Sequence, residues 1–165
     1  AILLTIAVPS FSTLIKRNNV DSLQSKLSSA LATARTEAAS RNKVVTICHS
    51  DDESTCSGTW SDGWIVFEDN DRSYDFSTGD VLIDVYRHNS QYSISAAAAS
   101  LSFNAQGFLV GGTNTLLLIC DPDAEEIYAR GLYVNLSGLV MKTRDTNSNG
   151  IHNDPTDPTT DLDCP

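Results

Sequence analysis

Three histidines, four cysteines and one Asp/Asn-rich segment carry the side chains of this 165-residue sequence whose types and spacing could do chemistry. His49, His88 and His152 lie in no HExxH pattern, and no GxSxG nucleophile elbow is present, so neither a zinc protease nor a serine hydrolase is indicated. Cys48, Cys56, Cys120 and Cys164 form no CxxC pair, which argues against zinc and thioredoxin-like chemistry. An even count fits two disulfides formed in an oxidising compartment, with three connectivities open on sequence alone. The segment Asp145-Thr146-Asn147-Ser148-Asn149-Gly150 matches the first half of an EF-hand calcium loop, with oxygen ligands at alternating positions and a glycine for the sharp turn. In such a loop Ile151 offers its carbonyl and Asp154 or Asp157 has to close the site. Thr156 stands where the closing glutamate belongs, and the bare alternative is a polar turn. No other cofactor is expected. The acidic runs Asp51-Asp52-Glu53 and Glu68, Asp69, Asp71 read as solvated turns.

The elements that position these residues fall into three stretches. Residues 1–43 read as a long helix. Apolar residues at Leu14, Val20, Leu23, Leu27, Leu31, Ala34 and Ala38 recur at steps of three, four or six, and the three-four steps make one face. Arg35, Glu37 and Arg41 fall on the polar side as a solvated or cross-helix charge pattern. Pro9 removes one helix hydrogen bond and is expected to bend or open the helix there. Asn42 and the run Val44-Val45-Thr46-Ile47 mark the switch to strand. At ~1.5 Å per residue such a helix is about 60 Å long, more than a small domain can cover, so part of it projects.

Residues 44–144 read as a β-rich head. Strands are expected at 44–48, 64–67, 81–86, 92–95, 101–103, 115–119, 127–129 and 132–135, with a short helical turn considered at 96–99. Many short strands imply an antiparallel sandwich or barrel. Trp64 and Phe67 supply large apolar area for its core. Residues 145–165 form an acidic tail with five aspartates, three prolines and no Phe, Trp, Tyr, Lys or Arg. Such a segment is disordered by itself.

The formal net charge is −10. It divides sharply, because residues 1–43 hold six basic and two acidic side chains while the rest holds five basic and nineteen acidic. The net charge disfavours tight nucleic-acid binding by the molecule as a whole, and its division fits either two surfaces facing different surroundings or a basic helix that complements its own acidic domain. The opening AILLTIAVPSF is apolar but shorter than the roughly 20 residues of a membrane span, and reads as the second half of one.

The N-terminal stretch resembles the helix of type IV pilins and type II secretion pseudopilins. Residues 27–48, LSSALATARTEAASRNKVVTIC, are similar to the "ALxxARxEAxxRnxxVtlC" pattern of the GspH/FimT class. Cys48 and Cys56, then Trp60 and Gly63-Trp64-Ile65-Val66-Phe67, resemble the short Cys–Cys loop and "GWxVF" of that class. Phe103-Asn104 and Gly107-Phe108 echo its later strand pair. The likeness runs to about residue 142. It implies an α+β fold, a long N-terminal helix packed on an antiparallel β-sheet or sandwich. About a dozen preceding residues would then be absent, including a methylated phenylalanine and a glutamate used in assembly.

The resemblance further implies a minor pilin, not an enzyme, that sits in the inner membrane with a periplasmic head and then in the extracellular pilus, at its tip. There it joins other minor and major pilins. Ile2, Leu3, Leu4, Ile6, Val8, Pro9, Phe11 and Leu14 would pack into the fibre core. The class implies Cys48–Cys56. Cys120–Cys164 would explain why so apolar-poor a tail ends in a cysteine. Two other roles within the class are a minor pseudopilin of type II secretion and a DNA receptor for transformation. For the DNA role the class uses a basic "GRxR" segment. The matching Gly138-Leu139-Val140-Met141-Lys142-Thr143-Arg144 offers only Lys142 and Arg144, with Asp145 next, so DNA is not expected as a partner.

Overall fold

A computed structural model describes residues 4–88 and 91–165, with side chains from Ser12 onward. One helix, α1 (Leu4–Arg41), precedes eleven short strands. Val20, Leu23, Leu27, Leu31, Ala34 and Ala38 are all buried, and the two alanines let the helix approach the sheets closely. The helix ends at Asn42, whose φ of 55° is left-handed, and Lys43 donates its N–H to the Ala38 carbonyl. Together these make a Schellman-type stop. No opening appears at Pro9, because α1 is continuous through it. Among the described residues no helix is long and apolar enough to cross a membrane.

The first sheet has five antiparallel strands in the order β3 (Val81–Arg87), β2 (Gly63–Glu68), β1 (Val45–His49), β5 (Ser100–Phe103) and β6 (Leu109–Val110). Its centre is buried on both faces, so β1 and β2 read as apolar runs rather than alternating ones. Val45, Ile47, Trp64, Val66, Leu101 and Phe103 face the helix side of the core. Cys48, Ile65 and Phe67 face the other way, beneath Phe76, Val85 and Cys56. Trp64 is 1 % exposed and stacks on Tyr86 with centroids 4.3 Å apart.

The second sheet runs β4 (Ser93–Ala96), β7 (Thr115–Cys120), β8 (Arg130–Val134) and β9 (Val140–Lys142). A separate hairpin pairs β10 (Asn153–Asp154) with β11 (Asp157–Asp161). Cys48 is bonded to Cys56 and Cys120 to Cys164. The second bond draws the tail onto the head, where Leu162 and Cys164 pack with Cys120 and Ala129.

Two local expectations fail. Residues 127–129 are not a strand. Glu126–Tyr128 is a 3-10 turn, because the buried Asp121 carboxylate accepts the backbone N–H groups of Asp123 and Glu125 and curls the chain. No helical turn forms at 96–99, since Ala96 ends β4 and the Ala98 carbonyl accepts the Trp60 indole N–H. Strands β6, β9, β10 and β11, which were not expected, lack the alternation that would have marked them.

Candidate functional site

The stripe of α1 that is buried in the head from Val20 on continues downward through Lys16, whereas Leu14 and Ile15, on other sides of the same helix, are 56 % and 54 % exposed. Of the other residues expected to pack in a fibre, Ile2 and Leu3 lie outside the described residues, as do the side chains of Leu4, Ile6, Val8, Pro9 and Phe11. On the stripe itself the apolar run gives way to Lys16. Its ammonium reaches Asp121 at 3.1 Å, Asp123 at 2.6 Å and Glu125, and stands 5.2 Å from the Tyr128 ring centroid. Hydrogen bonds to Asp123, then Glu125, push its pKa up. The carboxylates Asp121, Asp123 and Glu125 lie close enough to share a metal, but the ammonium already sits among them. One helical turn on, Arg130 donates to Asp21 at 2.9 Å. These pairings join residues more than a hundred positions apart, so no local pattern announced them. The one available signal was the alternation of acids at 121, 123 and 125.

Arg35 does more than solvate the polar face. Its Nε donates to the Gly107 carbonyl at 3.1 Å and its Nη2 to the Ser137 carbonyl at 3.4 Å, so it fastens two loops to the helix. Arg41 pairs with Glu37 and Glu68, and Lys43 with Glu68, closing the helix end onto β2.

The second group of close carboxylates, Asp69, Asp71 and Asp80, serves a turn. Asp69 accepts from Thr46, Ser73 and Tyr74, Asp71 from Ser73 and Ser77, and Asp80 from Asn70 and Ser77. Burial raises the Asp69 pKa despite those donors.

None of the histidines is set up for catalysis. His49 Nδ1 meets the Ser57 carbonyl and its ring abuts Trp60, and His88 Nε2 meets the Tyr92 carbonyl. His152 Nδ1 meets Thr143 Oγ1. Burial, then the nearby Arg130 charge, holds the His152 pKa below its usual value near 6.5, against the opposing pull of Asp21 and Asp145. The folded chain therefore binds fewer protons than the unfolded chain below that pH. The stabilisation is complete above about pH 6.5 and is lost as pH falls through and below it. His152→Gln is expected to flatten the decline in urea stability between roughly pH 7 and pH 5. An unchanged slope would show that other groups carry the decline.

The two cations considered for nucleic acid do not make a patch. Lys142 on β9 donates to Ser25 Oγ at 3.2 Å, tying strand to helix, and exposed Arg144 is followed directly by Asp145. The tail loop has a definite geometry. Asp145 accepts the N–H groups of Ser148 and Gly150, Asn147 that of Asn149, and Asn149 that of Ile151. Asp154 and Asp157 hold turns of their own, with Thr156 and with Thr159 and Thr160. The carboxylate that reaches the loop is Asp161, which the sequence had not singled out.

A family model described as type II transport protein GspH matches residues 24–138. Among solved structures, two crystal forms of the type IV minor pilin FimU from Pseudomonas aeruginosa are similar in fold. One has a TM-score of 0.62 at 20 % identity, covering 78 % of this chain and 90 % of that one. The other has a TM-score of 0.55 at 17 % identity, covering 79 % and 92 %. No curated protein sequence matches. The tail from residue 139 onward lies beyond the matched stretch.

Proposed function

Since this chain belongs to the GspH family, whose model spans residues 24–138, we propose that it is a minor type IV pilin that joins other pilins in a tip or priming complex and helps start pilus growth. Family and fold are those of pilin structural subunits, and the chain is not an enzyme. The observation that carries the assembly role is the division of α1. Its upper face is consumed by the head, while Leu14 and Ile15 are left bare on the same helix. Bare apolar helix surface is stabilised by packing among neighbouring helices, which is how a fibre core is built. On this reading the helix sits in the inner membrane before assembly and the head in the periplasm. Minor and major pilins are then the neighbours in the extracellular fibre.

The DNA-receptor role is disfavoured by charge. A receptor gathers several phosphate contacts, and here Lys142 is tied to Ser25 while Arg144 adjoins Asp145. Deleting the gene is expected to reduce sheared surface pili sharply, and the protein is expected to bind duplex DNA weakly or not at all at roughly 150 mM salt. Normal piliation together with micromolar DNA binding lost in Lys142→Ala/Arg144→Ala would replace this reading with the uptake receptor. Normal piliation with lost protein secretion would favour the pseudopilin.

A further inference from the structure

We infer that the free edge of β3 receives an extended peptide segment as a sixth strand of the first sheet, with a carboxamide side chain of that segment seated between β3 and α1 beside Trp64. Three observations carry it: an open strand edge, two hollows at strand spacing, and a buried donor without a partner.

The first sheet is blunt at one edge and open at the other. At one end β6 has two residues, too short to template another chain. At the other, β3 has seven, the longest strand described, and among the described residues it pairs with β2 alone. Its first residues, Val81 and Leu82, are exposed. The register shift against β2 comes before Asp84, so Asp84–Arg87 is a regular ladder whose outward backbone groups can pair with an added strand.

Asp84 and Tyr86 stand opposite Val66 and Trp64 and so share their helix-side face. One hollow on that face, about 250 Å³, is lined by residues that include Lys26, Ser29, Trp64, Asp84 and Tyr86. The next, about 270 Å³, includes Asn19, Ser22, Lys26, Tyr86 and His88. They flank Tyr86, one toward Asp84 and one toward His88, which sets them one two-residue repeat apart, roughly 6.6–6.8 Å along the strand. Alternate side chains of an added strand have the same repeat. Each hollow is smaller than the ~300 Å³ at which small-molecule pockets begin, and suits one side chain.

Trp64 selects the side chain. Its indole Nε1 is the one buried side-chain donor without a partner among the described residues. A buried donor left so is costly, and an acceptor oxygen arriving beside it removes the cost. Lys26, which lines both hollows, gives one of its three ammonium protons to the Tyr86 hydroxyl at 3.2 Å and has others to give. The exposed Asp84 carboxylate lines the first hollow too, as an acceptor that repels a second carboxylate. Donors and an acceptor together match a carboxamide, whose oxygen accepts from Trp64 and Lys26 while its NH2 group donates to Asp84. A sugar would need a bare aromatic face, but the Tyr86 ring already carries Trp64, 4.3 Å between centroids, and the Lys26 ammonium at 5.0 Å. The site does not depend on whether the chain serves a pilus or a secretion pseudopilus.

The test is calorimetric titration of the chain with an acetylated, amidated peptide of about eight residues that alternates valine and glutamine, at up to about 1 mM. The expected result is binding of one peptide per chain. The same peptide with glutamate for glutamine is expected to bind about tenfold more weakly, and one with methylated backbone nitrogens not to bind. Trp64→Phe, which keeps an aromatic ring and removes the N–H, is expected to weaken the glutamine peptide about tenfold. Asp84→Asn is expected to erase the preference for glutamine over glutamate. The three peptides compared on the unaltered chain decide the matter even if a variant folds poorly. No binding of the glutamine peptide would overturn the proposal, as would equal affinity for the glutamate peptide. So would full affinity for the methylated peptide, which would mean loose apolar adhesion, or undiminished affinity in a folded Trp64→Phe chain.

Discussion

Replacing Gly138 by alanine is expected to lower the free energy of unfolding by about 3 kcal/mol or more, a drop of about 6–12 °C in melting temperature for a chain of this size. Gly138 has a φ of 73°, which costs any other residue about 1–2 kcal/mol. The larger part is steric. A Cβ at this position would fall well inside contact distance of the Gly107 carbonyl oxygen, which is backbone and is held by Arg35 Nε. The loops carrying Gly107 and Gly138 lie against each other, and the Leu109 N–H donates to the Leu136 carbonyl beside them. An added methyl group would therefore push apart two loops and loosen both Arg35 bonds. Urea unfolding of Gly138→Ala beside Ser137→Ala checks this, with a cost near zero expected for the exposed serine. A cost below 1 kcal/mol at Gly138 would show that the loops yield freely. The glycine of the segment compared with the basic DNA-binding pattern thus has a packing reason to be there, whether or not cations follow it.

Removing the tail disulfide in Cys120→Ser/Cys164→Ser is expected to cost about 4 kcal/mol, the chain-entropy value for closing a loop with a sequence separation of 44. The bond also anchors a small apolar cluster, since Leu162 and Cys164 pack on Cys120 and Ala129. Without it, residues 145–165 keep mainly the hydrogen bonds among their own polar side chains and have little apolar area to bury. The melting temperature should fall by about 8–16 °C, and limited proteolysis should trim the tail before it cuts the head. Cys48→Ser/Cys56→Ser, with a separation of 8, should cost less, about 2.5 kcal/mol. If the two double variants lost equal stability, loop length would not be what sets the effect.

Much of the architecture was legible because it is written in local periodicities. The three-four stripe from Val20 to Ala38 marked the buried helix face, and the runs at Val45–His49 and Gly63–Glu68 marked the two central strands. Residues 127–129 misled because Ile127, Tyr128 and Ala129 look strand-like, while the Asp121 side chain, several positions earlier, capped the chain into a turn. The functional features that escaped were all meetings of distant residues. Lys16 finds three acids over a hundred positions away, Arg35 finds two loop carbonyls, and Asp161 finds the loop at 145–151 only after the hairpin folds. A charged side chain on a helix gives the same local signal whether it ends in water or in such a partner.

The joint at Lys16 has a mechanical consequence. An ammonium is a compact charge with three rotatable donors and no plane of its own, so it can trade hydrogen bonds among Asp121, Asp123 and Glu125 as the helix turns slightly. Higher up, the interlocked stripe from Val20 to Ala38 permits no such play. The pairing therefore acts as a guy-line on a rigid mast: a load on the lower helix is carried by the continuous α1 into the clamp, and the Lys16 contacts resist its swing away from the head. Because these contacts are partly wet, their stiffness should soften as salt rises, so the angle at which a head stands off its shaft becomes a property of the surrounding medium as well as of the protein.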